Sequence, residues 1–288
     1  MKKRLVFYFL FVIITFFFNF YYRPIKGNEL VTEKYKNTDS YINDLYMSDE
    51  YFKKNLLDKS DYSVYRKIIE ASLNNETDVT VECSSDDCAG TFINAYYAIY
   101  LDHPELISFL GISSYYNHNT SITYKNYNNL SKIKTYFGTR RIAREMENIR
   151  KDTEGMNEKE KIIYVYDYVA SHQYDDLFTY IGSNQSAYSF FTKGNSVCAG
   201  FAKASQIIFQ NIGIKSYLVL SSDHMWNYVE YNGKYYVFDA TMGTSLYDKK
   251  NPHFYDGLGE TTIGSSTGLF TELYPEIEKV TLKNLFKL

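Results

Sequence analysis

The chain has 288 residues, is 45% hydrophobic and carries a net charge of −3. That length buries a sizeable core in one or two domains, and the near-neutral balance gives no case for nucleic acid. There is no internal repeat and no low-complexity tract.

Residues 1–26 stand apart. Lys2, Lys3 and Arg4 precede residues 5–22, a run of eighteen without a charge. A helix of that length spans about 27 Å, just enough for a bilayer core. A signal peptide and an uncleaved signal-anchor helix compete here. No small-residue cleavage site follows, which favours the anchor. The basic start favours a cytoplasmic N-terminus, although Arg23 and Lys26 on the far side weaken that orientation. The rest of the chain is expected outside the cytoplasm, membrane-anchored or secreted. Residues 27–60 are polar. Residues 28–40 read as a tether, and 41–57 as a short helix.

Residues 61–135 make an N-terminal α/β portion. Asp61 is placed to cap a helix running to about Leu73. Residues 79–83 alternate like a strand, 89–101 are helical, and 107–110, 112–116 and 121–124 are strand-like. Asp102, His103 and Glu105 cluster around Pro104, where a helix end is expected. Cys83 and Cys88 are disulfide candidates in an oxidising compartment, which leaves Cys198 as the odd thiol. No further Cys and no paired His completes a ligand set, so no metal is expected, and no cofactor motif is present.

Residues 136–288 form the third unit. Two helices are expected over 139–156 and 157–173, the second burying Ile162, Val165, Tyr166 and Val169. His172 follows them, an ordinary histidine in the absence of an orienting carboxylate. A short helix over 186–192 leads to a turn and then to a helix that starts at Cys198 and stops near Gly213. Asn195 and Ser196 are placed to cap it, and Ala199 and Gly200 to leave room for a substrate backbone. Its N-terminal N–H groups and macrodipole favour a thiolate and could hold an oxyanion.

Two β-prone runs then flank Asn232-Gly233, the pattern of a tight type I′ hairpin. Counting back pairs Tyr231 with Lys234, Glu230 with Tyr235, and finally Trp226 with Asp239. His224 shares a face with Trp226. Asp239 becomes its diagonal cross-strand neighbour, with Cα atoms roughly 7–8 Å apart. A slip of one residue would separate the two side chains. Cys198, His224 and Asp239 thus make a candidate acyl-transfer site: a thiolate to attack a carbonyl, an imidazole to protonate the leaving group, and a carboxylate to orient the ring. Trp226 is either a lid over the imidazole–carboxylate pair or core. The Gly-, Ser- and Thr-rich stretch from Met242 to about Phe270 reads as a loop over one end of the sheet.

Three blocks, GNSVCAGFA (194–202), HMWNYV (224–229) and YYVFDAT (235–241), resemble the core of the transglutaminase-like superfamily. Its bacterial branch has the pattern V-C-x-G-(Y/F)-A, H-x-W-N-x-V and (Y/W)-x-x-x-D-x-T. The resemblance implies an α+β fold with a papain-like core: a Cys-bearing helix packed on an antiparallel sheet that carries the His and the Asp. It makes Cys198 the nucleophile, His224 the base and acid, and Asp239 the orienting carboxylate. The run 95–116 is similar to the segment that precedes that core in bacterial members, so the N-terminal portion is expected to be integral. Members have an oxyanion-side donor upstream of the cysteine; Gln185, Tyr188 and Asn195 are weak candidates for it. The implied enzyme acts on protein or peptide amides, those of the cell envelope among them, through a Cys acyl-enzyme. Hydrolysis is favoured. Amine-accepting cross-linking and an inactive binding module of the same fold are the alternatives.

Overall fold

The computed structural model describes residues 50–84, 86–109, 111–126, 130–175, 182–244, 250–251, 253–261 and 269–288. The leader, the tether and most of the expected 41–57 helix lie outside them. No described helix is long and apolar enough to cross a membrane.

The first described elements are α1 (Tyr51–Leu56), α2 (Tyr62–Leu73), β1 (Asp78–Glu82), α3 (Cys88–Asp102), β2 (Ile112–Asn117) and β3 (Ser121–Asn126). The three strands form an antiparallel sheet in the order β1-β3-β2. Val79 and Val81 of β1 alternate inward with Ile122 and Tyr124 of β3, and Phe92 of α3 packs on the Tyr124 ring. A disulfide joins Cys83 to Cys88 at the start of α3. At the other end of α3, buried Asp102 accepts the Phe52 and Lys53 N–H groups at 3.1 and 2.9 Å. Those donors open α1, a helix with no cap of its own. Asp61 occupies the N-cap position of α2 but makes no side-chain cap bond. Of the strand expected over 107–110, residue 110 lies outside the described residues and 107–109 are not in a strand; Ile107 and Ser108 lie in a turn instead. There the buried Ser108 hydroxyl donates to Ser72 O, fixing the turn to the end of α2. Apolar residues in that run signalled burial, and burial did not require a strand.

The chain continues through α4 (Lys132–Asp152), α5 (Glu158–Ala170), β4 (Gln173–Tyr174), α6 (Ala187–Lys193), β5 (Asn195–Ser196), α7 (Cys198–Asn211), β6 (Ser216–Leu220), β7 (Met225–Tyr231), β8 (Lys234–Phe238), α8 (Thr241–Thr244) and α9 (Leu282–Phe286). Helix α4 starts seven residues before the expected 139, with Ser131 accepting from Lys134 N as its cap. Asn157 and Glu160 close a reciprocal capping box at α5.

Helix α7 is the central element. Every residue from Ala199 to Phe209 is buried, because the helix is covered on two sides. Ala199 and Ala202 join a core made with α1–α3, β6 and β7, including Leu218, Val219, Met225 and Trp226. Phe201, Ala204, Ile207, Ile208 and Phe209 join a second core made with α4–α6, Val229, Tyr236 and Phe238. Gly213, with φ +78, follows the C-cap at Ile212.

The sheet β6-β7-β8 is antiparallel. Asn232 and Gly233 both have positive φ, 52° and 74°, as a type I′ turn demands. The register follows the count from the turn: Tyr231 faces Lys234, Glu230 faces Tyr235, and the ladder runs to Asn227 opposite Phe238. The expected last step, Trp226 opposite Asp239, is not a ladder pair. The Asp239 N–H turns away to Gly257 O, at 2.7 Å. Gly257 permits that approach, since a Cβ there would stand 2.0 Å from Asp239 O.

The left-handed turn position belongs to Gly233. Gly233→Ala is expected to cost roughly 1–2 kcal/mol, read as a lower urea midpoint with an unchanged m-value.

Candidate active site

Cys198 opens α7 and is half-buried. The turn before it is clamped from three sides. Strand β4 runs parallel to β5, and the Asp175 N–H bonds Ser196 O at 2.8 Å. Asn184 O accepts both the Val197 N–H and the Ser196 hydroxyl, and Asn184 Nδ2 donates to Asp175 Oδ2 at 3.2 Å. The Ser189 and Ser196 hydroxyls meet at 2.8 Å. Asn195 and Ser196 therefore build a strand and do not cap the helix; the N-cap position is Val197, without a side-chain bond. Gly200 likewise serves the fold rather than a substrate. A Cβ on it would lie 1.8 Å from Ser196 Oγ, so the glycine makes room for that serine.

His224 is set by the turn before β7. Its N–H donates to Ser221 Oγ at 3.0 Å, and Ser221 N–H bonds His224 O at 2.9 Å. Its Nε2–H donates to Asp239 Oδ2 at 2.7 Å, with both side chains buried. The other Asp239 oxygen accepts from the Thr241 N–H at 3.1 Å and from the Thr241 hydroxyl. Both carboxylate oxygens are thus occupied, and the D-A-T spelling of residues 239–241 acquires a physical reason. The Cys198 side chain lies close enough to the imidazole to act on its protonation. Trp226 stacks on His224 with centroids 5.7 Å apart and planes 17° apart. It covers the ring and belongs to the core at the same time.

Burial disfavours the imidazolium. The hydrogen bonds from Asp239 and Cys198, and the charges of both groups, outweigh burial and raise His224 from 6.5 to about 9. The site therefore favours a protonated ring beside the sulfur at neutral pH.

The residue that sequence reasoning passed over is Tyr174. Tyr174 lies close enough to Cys198 for that residue's backbone and side chain to act on its hydroxyl. Burial first, then the Cys198 charge, raise its hydroxyl to about 12. The only signal was its place in Ser-His-Gln-Tyr-Asp (171–175), where His172 drew attention instead. That histidine donates from Nδ1 to Tyr168 O at 3.0 Å and stacks on Phe190 at 4.1 Å. Burial lowers its pKa, as befits a neutral packing residue. Gln185 is half-buried at the end of a 3-10 turn, Gly182–Gln185. Tyr188 packs on α4, where its ring fills the space over Gly138. Among the described residues no group of three or more His, Cys, Asp and Glu is placed to hold a metal ion.

A thiol at a helix start, and an imidazole bonded to a buried carboxylate, sit together on a mixed α+β fold. The family model of the transglutaminase-like superfamily matches residues 140–240, about a third of the chain. No curated protein matches the chain. Among solved structures, a TGase is 16% identical over 57% of this chain and 50% of its own, with a TM-score of 0.33. This chain thus spans half the length of that protein. A candidate cysteine protease from Cytophaga hutchinsonii is 18% identical over 56% of this chain and 71% of its own, with a TM-score of 0.31.

The raised imidazole links folding to pH. Its contribution to stability is complete below about 6.5, the ring's ordinary value, and is lost as pH rises through about 9. An NMR titration of His224 is expected to show a midpoint near 9 in the protein and a clearly lower one in Asp239→Asn. The wild type should lose more stability than the variant between those two pH values.

Proposed function

We propose that this protein is a thiol enzyme that cleaves protein or peptide amides through an acyl-Cys198 intermediate. What carries the reading is the buried 2.7 Å bond from His224 to Asp239, with Cys198 close enough to act on the same ring. The sulfur attacks the carbonyl carbon, a C–S bond forms, and the π electrons move to oxygen. On collapse the C–N bond breaks, and the amine leaves with the proton from His224 Nδ1. Water then gives a proton to the same nitrogen and attacks the thioester, and the sulfur departs with its electron pair. An amine in place of water would give transfer. Asp239 keeps its bond to Nε2 throughout, which leaves Nδ1 for the sulfur.

Tyr174 stands on the oxyanion side. Its hydroxyl lies close to Cys198 in the resting site. It and the Cys198 N–H both donate to the carbonyl oxygen when substrate arrives.

Placement outside the cytoplasm, by an N-terminal anchor or by secretion, completes the reading. The Cys83–Cys88 disulfide supports it, since such bonds persist in oxidising compartments. So does the charge-free run of residues 5–22 behind its basic start.

Release of peptide from casein, and incorporation of a labelled amine into it, separate hydrolysis from transfer. Hydrolysis is expected to dominate, and Cys198→Ala to lose at least about a thousandfold in kcat by either readout. Unchanged turnover in that variant would remove Cys198 from the mechanism. Tyr174→Phe should lower kcat about 10–100-fold while iodoacetamide labels Cys198 no more slowly. An unchanged kcat would end its role at the oxyanion.

A further inference from the structure

Lys203 sits five residues into α7 from the nucleophile and is only 4% exposed. Its ammonium lies 3.8 Å from the centroid of the Tyr100 ring. Among the described residues it makes no hydrogen bond and no ion pair. Burial alone brings it down to about 7, with no acid nearby to hold it up. Yet Nζ is not among the buried partnerless polar atoms that are sealed from solvent, so it reaches an opening. Its helical neighbour Gln206 is equally buried but accepts from Ser216 Oγ at 3.1 Å. A cation hidden without a counter-ion costs stability, and a methionine of similar length would fill the same space without that cost. The folded chain on its own gives Lys203 nothing in return beyond the face of one ring.

Tyr100 is also a neighbour of the thiol. Burial, then Tyr96, then the charge of Cys198 push its hydroxyl up, so its oxygen lies within electrostatic reach of the sulfur. Its ring face carries Lys203. The cation lies on the ring face, and the ring's hydroxyl lies within reach of the thiol's charge.

We propose that Lys203 and Tyr100 form a subsite for a substrate carboxylate beside Cys198, so that the preferred amide is one flanked by an acidic group. The inference rests on the thiol-enzyme reading and narrows its substrate class. A single ammonium is a point charge, suited to one carboxylate oxygen rather than to the two-pronged contact a guanidinium makes. Arrival of the carboxylate supplies the missing counter-charge and keeps the amine protonated.

The test uses the full chain, whose other two cysteines are joined to each other. Cys198 is alkylated with iodoacetate, which bears a carboxylate, and with its neutral counterpart iodoacetamide. The iodoacetate-to-iodoacetamide rate ratio is expected to fall about tenfold in Lys203→Met. It should stay near the wild-type value in Lys203→Arg, with the iodoacetamide rate unchanged in both. A second measurement needs only the wild type: N-acetylglutamate should protect Cys198 from iodoacetamide at concentrations about tenfold lower than N-acetylglutamine. Fast iodoacetamide labelling with a ratio indifferent to Lys203→Met overturns the subsite and leaves the thiol enzyme standing. If Lys203→Met does not fold, equal protection by the two amino acids does the same. A sulfur no faster than a model thiol towards either reagent overturns both.

Discussion

The site depends on one carboxylate having no freedom. Asp239 gives one oxygen to His224 and the other to Thr241, while its own N–H is drawn off to Gly257. The ring is therefore oriented by a group that cannot rotate away. The constraint originates at Asn232-Gly233, a two-residue turn that sets which residue of β8 lies beside which residue of β7. Where the ladder stops is set by a different force, the competition of Gly257 for the Asp239 N–H. The residue just past β8 thereby becomes a catalytic candidate instead of one more rung.

Helix α7 links this pair to the sulfur. Its two buried sides fix its axis against the sheet that carries His224. Its first residue is then located by the hydrogen-bonded turn around Asn184, Ser189 and Ser196. Side chains with no chemistry of their own thus decide where the nucleophile stands. Proton balance follows from the same geometry. Burial opposes a charged imidazole, and the surrounding hydrogen bonds and charges overcome it.

Much of this was written in local sequence. Asn232-Gly233 specified the turn, the turn specified the register, and the register brought His224 to Asp239. The helix from Cys198 and its stop at Gly213 followed from composition and the left-handed glycine. What could not be read was contact between distant segments. Tyr174 reaches Cys198 because a two-residue strand pairs with Asn195–Ser196, too short to leave a period. Gly200 looked like space for a substrate, and only the crossing of Ser196 reveals whose space it is. Residues 107–110 had the apolar content of a strand, but Ile107 and Ser108 are buried in a turn. Lys203 lies on a helix face whose burial no pattern announced, since α7 is covered on both sides.

The first core has a consequence for any attempt to shorten the chain. It does not stop at the end of β3 but runs on through Ala199, Ala202, Leu218 and Trp226. Trimming to the segment that matches the superfamily model, residues 140–240, would turn those side chains out into water and strip a wall from the helix that Cys198 opens. The amino-terminal third is in that sense half of the protein's interior, and the recognisable motif segment is only the other half.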